Sequence, residues 1–159
     1  MKLVLALDRA LGWLLGLLKW LALPVVVLLF LQWPLRDLVQ AYSREANDLG
    51  QWLFALLMAA AVTAATRDRT HLAVDTLARR YAPRRRALIA RIGAVIGLAP
   101  WALLVLYTSR QGVWMSLRQL EGFPDTYNPG YFMIKAALWL LAGLVLLQAV
   151  VDFVRPIRD

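Results

Sequence analysis

The chain has 159 residues, 61% of them hydrophobic, and only 18% charged against about 25% in an average soluble domain. A soluble domain this short buries only about two-thirds of its surface, so this much apolar side chain needs lipid as its solvent. The absence of cysteine excludes a disulfide framework, a thiolate metal site and a cysteine nucleophile; the net charge of +8 reads as loop charge rather than a nucleic-acid surface, because the arginines cluster between apolar segments.

Four stretches carry no charge: Lys19 to Arg36, Asp48 to Arg67, Arg91 to Arg110 and Lys135 to Asp152. Each holds about 16 to 18 residues, or roughly 24–27 Å of helix, which matches a hydrocarbon core of about 30 Å once flanking side chains snorkel. Only helices or closed barrels satisfy every backbone group in lipid, and the stretches lack the polar alternation of a barrel. The expected fold is therefore an all-α membrane protein. It is one integral membrane domain over residues 1–159, with spans at about 13–36, 48–67, 90–114 and 131–154.

In chain order, the first span follows Lys2 and Arg9 and ends in Gln32-Trp33-Pro34-Leu35-Arg36 rather than in a small-residue cleavage site, so it reads as an uncleaved anchor and not a signal peptide. The connection after it mixes signs: Arg36, Asp37, Arg44, Glu45 and Asp48. The second span is crowded with alanine, from Ala59 to Ala65. Beyond it, Leu72, Val74, Leu77, Ala78 and Tyr81 recur at spacings of three and four with arginines opposite, and Pro83 ends the pattern before Arg84-Arg85-Arg86. That pattern predicts an amphipathic interfacial helix at about residues 70–82, lying in the headgroup plane with Arg67, Arg79 and Arg80 toward phosphate; a plain solvated turn is the alternative. In the third span Pro100 is expected to kink the helix and Trp101 to pack against a neighbouring one, with a substrate-path lining as the sharper reading. The third connection is again mixed, with Arg118, Glu121 and Asp125.

Arginine excess fixes the expected orientation. The central connection carries eight arginines between Arg67 and Arg91 against Asp68 and Asp75 alone, so it is cytoplasmic, both termini are cytoplasmic, and the first and third connections lie outside. Trp33, Trp52 and Trp114 at outer edges and Trp20 at an inner one suit the interfacial preference of the indole.

Chemistry is sparse. His71 is the sole histidine, with Asp75 one turn on; a metal or haem site needs more ligands, so the pair is expected to join the second span to the surface helix by a charge-assisted hydrogen bond. No ionisable residue is expected in the middle of a span, where coupling ions and charged substrates would need one. No cofactor, no catalytic group and no metal ligand is therefore expected. Gly12 and Gly16, Gly93 and Gly97, and the alanines of the second span suit close helix docking.

The run Arg67-Asp68-Arg69-Thr70-His71-Leu72-Ala73-Val74-Asp75 resembles the basic-His-x-x-Val-Asp segment of the small, DctQ-like membrane subunit of TRAP (tripartite ATP-independent periplasmic) transporters. Leu120 to Phe132, with its Asn128-Pro129-Gly130-aromatic ending, and Arg44-Glu45-Ala46-Asn47-Asp48 are similar to that family's segments before its fourth and second helices. The resemblance implies a non-enzymatic subunit in a bacterial inner membrane. It implies two protein partners, a large DctM-like membrane subunit that binds sodium and moves an organic acid, and a DctP-like periplasmic substrate-binding protein. On that reading Arg36, Arg44, Glu45, Asp48, Arg118, Glu121 and Asp125 form periplasmic docking loops. A self-sufficient four-helix transporter or channel, and a membrane anchor of an oxidoreductase, are the alternatives.

Overall fold

Leucine, alanine and valine fill the charge-free stretches, and in lipid such runs have no way to satisfy their backbone except as helix. The computed structural model, which describes residues 2–38, 43–68 and 81–154, is helical accordingly. Helix α1 (Lys2–Leu18) passes through a 3-10 turn (Lys19–Leu21) into α2 (Ala22–Leu38). Helices α3 (Arg44–Asp68), α4 (Pro83–Gln119) and α5 (Tyr131–Val154) follow. Four helical runs are long and apolar enough to cross a membrane: Val4–Pro34, Arg44–Asp68, Arg91–Gln119 and Tyr131–Val154. Among the described residues there is no strand, only an isolated bridge between Gly122 and Pro129. Most of the expected interfacial helix at 70–82 lies outside the described residues.

Helix α5 is the central post. It packs against α4, α3 and α1, and it buries Ala137, Ala142, Leu144, Val145, Gln148, Ala149 and Val151. Leu11, Leu15, Ala60 and Leu144 close one core cluster between α1, α3 and α5. The alanine-rich face of α3 explains the close approach: Ala59 and Ala60 are buried, so backbones meet where larger side chains would hold them apart. Thr63, fully buried, returns its hydroxyl to the Ala59 carbonyl at 2.9 Å and leaves no polar atom stranded. The glycines play a smaller part within the chain than their spacing suggested. A Cβ on Gly16, Gly93 or Gly97 would meet nothing within 4 Å.

The first helical run departs from the sequence reading twice. Asp8, at 7% exposure, is buried against α3, where Arg67 meets it at 3.0 Å and also donates to the Asp8 carbonyl at 3.1 Å. Gly12 makes room for this pair, since a Cβ there would lie 3.1 Å from the Arg67 Nη2. The ion pair fixes the antiparallel register of α1 on α3. Lys19, eleven residues on from Asp8, therefore lies about 16 Å further along the helix, beside the middle of α3 near Leu56. Lys19, expected at the edge of a charge-free stretch, falls midway along the helical run Val4–Pro34. An ammonium at such a position costs about 2.5–3.5 kcal/mol on insertion scales. Pro24 accounts for the turn. It has no N–H for the Trp20 carbonyl and its ring crowds that carbonyl, so the preceding residues tighten.

Helix α4 continues through Pro100 without a break in its helical assignment. Ala102 is fully buried there, and Trp101 beside it keeps 42% of its surface exposed. Further along, the Trp139 indole donates to Ser109 Oγ at 3.0 Å and fastens α5 to α4.

Candidate functional site

Among the described residues, the end of the bundle that carries residues 120–130 holds most of the irregular backbone and most of the paired polar side chains. Helix α4 stops because Leu120 takes a left-handed conformation (φ 48°), which turns its N–H back to the Leu117 carbonyl and that of Glu121 to Ser116. Across the loop the Phe123 N–H donates to the Asn128 carbonyl and the Tyr127 N–H to the Phe123 carbonyl, both at 2.8 Å. Phe123 is buried and meets Tyr131 edge to face, with centroids 5.6 Å apart. Gly130 closes the turn at φ 130°, a conformation L side chains rarely adopt, and Trp52 leaves no free room beside it, 3.3 Å from where a Cβ would stand.

Two polar ties hold this loop down. Asp48, in the second turn of α3, accepts from Thr126 Oγ1 at 2.5 Å and from Asn128 Nδ2 at 3.0 Å, both on Oδ2. Glu121 accepts from Lys135 Nζ at 2.5 Å. The Lys135 ammonium holds the Glu121 carboxyl below the usual carboxylate range. Helix α3 begins beside the loop under its own cap, the Ser43 hydroxyl accepting from the Ala46 N–H at 3.1 Å. Between the two segments lies an open cavity of about 410 Å³ lined by Arg44, Asn47, Asp48, Gln51, Asp125 and Tyr131 among others.

The structure sorts the residues expected to form docking loops. Arg44, Glu45, Arg118 and Asp125 are exposed around this end, and Arg44, Asp48 and Asp125 share the cavity. Asp48 is not a surface group: at 6% exposure it is a buried tie, because its two partners arrive from the loop to cover it. Glu121 is half-buried and engaged with Lys135. Arg36 lies in α2, and its side chain is outside the described residues, as are His71, Asp75, Arg79 and Arg80 altogether. Arg67 sits at the opposite end, on Asp8.

Three features escaped the sequence reading. Thr126 and Asn128 are the partners of Asp48, and Lys135, taken as the edge of a charge-free stretch, is the partner of Glu121. Tyr127 stands at the loop apex with a left-handed backbone (φ 58°) and 89% exposure. An exposed aromatic held in a strained conformation by a fully tied loop is costly for the chain alone. Only the Asn-Pro-Gly turn signal hinted at a shaped loop. Among the described residues no three His, Asp or Glu side chains gather to hold a metal ion.

Residues 11–159 match the family described as tripartite ATP-independent periplasmic transporters, DctQ component. The chain belongs to this family. The match covers nearly the whole sequence, so the four-helix bundle and both its ends lie within the small component of a TRAP transporter, a multi-pass membrane protein of a transport complex. No curated protein and no solved structure matches the chain.

Proposed function

We propose that this DctQ component lies in a bacterial inner membrane with both termini cytoplasmic, scaffolds the large DctM-like membrane subunit, and helps the DctP-like periplasmic binding protein dock. The complex takes up an organic acid with sodium, and the sodium binds the large subunit. Arginine excess between α3 and α4 supports the orientation, since basic residues stay on the cytoplasmic side; it puts the 120–130 loop and the start of α3 outside.

One observation carries the docking reading: the loop and α3 are tied into a preformed surface before any partner arrives. Asp48 joins them from below, Glu121 and Lys135 clamp one edge, and Tyr127 stands on top. A surface already ordered loses little conformational entropy on binding. Its exposed charges, Arg44 and Arg118 with Glu45 and Asp125, carry both signs in equal number. That suits the polar rim of a protein contact better than a headgroup layer, which calls for a basic cluster.

Charge reversal tests it. Arg44→Glu, Arg118→Glu and Asp125→Lys should each leave the membrane complex assembled and lower binding-protein-dependent uptake. Unchanged uptake in all three refutes the docking surface. Solute or sodium flux in liposomes holding this chain alone refutes the accessory role.

A further inference from the structure

Lys19 is the charge that the described fold leaves without a use. It begins the 3-10 turn between α1 and α2, midway along the Val4–Pro34 span, and its side chain is exposed. No described carboxylate or carbonyl receives its ammonium. A lysine near the end of a span snorkels to the headgroups, but this one lies about 16 Å along the helix from the Asp8–Arg67 pair, beyond the reach of its four-carbon stem.

The surroundings of Lys19 belong to one face. Leu23, Val26 and Phe30 follow it at steps of four, three and four, and all are exposed; residues so spaced line one side of a helix. Gly16, three residues earlier, has nothing within 4 Å of a built Cβ. The stripe is thus open at the glycine, apolar beyond it, and charged at its middle. Lipid is a poor occupant for such a face, because charged side chains at membrane depth face protein or water and are paired.

We propose that the Gly16–Lys19–Leu23–Val26–Phe30 stripe is where the larger membrane subunit seats, and that a carboxylate in one of its membrane-embedded segments receives the Lys19 ammonium. This placement rests on the assembly reading above and adds to it the contact face and the chemistry of the contact. A cation on the outside of the bundle gives sodium nothing to bind, so Lys19 marks assembly and not an ion path through this chain. The open glycine lets the partner backbone approach closely beside the pair.

Lys19→Leu and Lys19→Glu, made in the full chain, test it. In detergent the Lys19→Leu chain alone should melt no lower than the wild type, since it loses only a cost. Its dissociation constant for the purified large subunit should rise at least tenfold, and Lys19→Glu should abolish the complex. Wild-type affinity in Lys19→Leu overturns the placement alone; a wild-type chain that binds no large subunit overturns the assembly reading with it. Should Lys19→Leu fail to insert, single cysteines decide, with no native cysteine to interfere. A spin label on Leu23→Cys should be relaxed by lipid-soluble oxygen in the chain alone and be shielded from it in the complex, whereas equal relaxation in both refutes the face.

Discussion

The Asp8–Arg67 pair makes the sharpest prediction about folding. Its Oδ1–Nη1 separation of 3.0 Å gives a Coulomb attraction of about 5 kcal/mol at an effective dielectric of 20. Desolvation offsets much of that, but the side chains are only 11% and 24% exposed, so neither charge finds enough water if its partner is removed. Breaking such a pair from one side costs about 3–5 kcal/mol, while removing both charges costs far less. Arg67→Met and Asp8→Ala should therefore each destabilise the bundle by about 3 kcal/mol, and the double variant should fall short of their sum by at least about 2 kcal/mol. Unfolding in mild detergent, followed by tryptophan fluorescence from the seven indoles, measures all four corners of the cycle. Additivity within about 0.5 kcal/mol would show that the pair does not couple α1 to α3, and the register that places Lys19 at mid-span would fall with it.

The loop end yields three more expectations. Asp48→Ala removes the acceptor of two charge-assisted hydrogen bonds and should cost about 2–4 kcal/mol in the same unfolding assay, with Asp48→Asn recovering part of it. Tyr127→Gly relieves a positive φ at an exposed site and should raise stability by about 1 kcal/mol while weakening binding-protein capture; a stability loss would mean the ring packs on this chain after all. The Glu121 carboxyl titrates below its ordinary value of 4.5, chiefly because of Lys135. Its contribution is therefore complete above that value and is lost as pH falls through the lowered one. Loop amide exchange, corrected for intrinsic rate, should be flat from pH 8 to pH 5 and should quicken only in stronger acid; quickening near pH 6 would refute the assignment.

The spans were readable because a bilayer imposes one length on every crossing segment, and absence of charge reports that length directly. The same rule misplaced Lys19. A scan that treats any charge as an edge cannot find one lodged within a span, and the register that reveals it depends on an ion pair between residues 59 positions apart. Asp48 failed for a related reason. Polarity and a place beside a turn suggested exposure, but its partners are 78 and 80 positions away, and no local pattern announces them. Arg44, Glu45, Arg118 and Asp125 were readable as surface charge because nothing covers them. Tyr127 was not, since its backbone conformation is set by hydrogen bonds within the loop rather than by its own preference.

The position of α5 bears on how the protein is made. The helix that touches α1, α3 and α4 leaves the ribosome after all three of them. Until it enters the bilayer, Leu11, Leu15 and Ala60 have no closing partner in Leu144. The earlier segments must then wait in the membrane as a loose, unfinished assembly, open to quality-control proteases. Any early stop codon upstream of residue 131 would leave that half-built state permanent, however intact the remaining helices are.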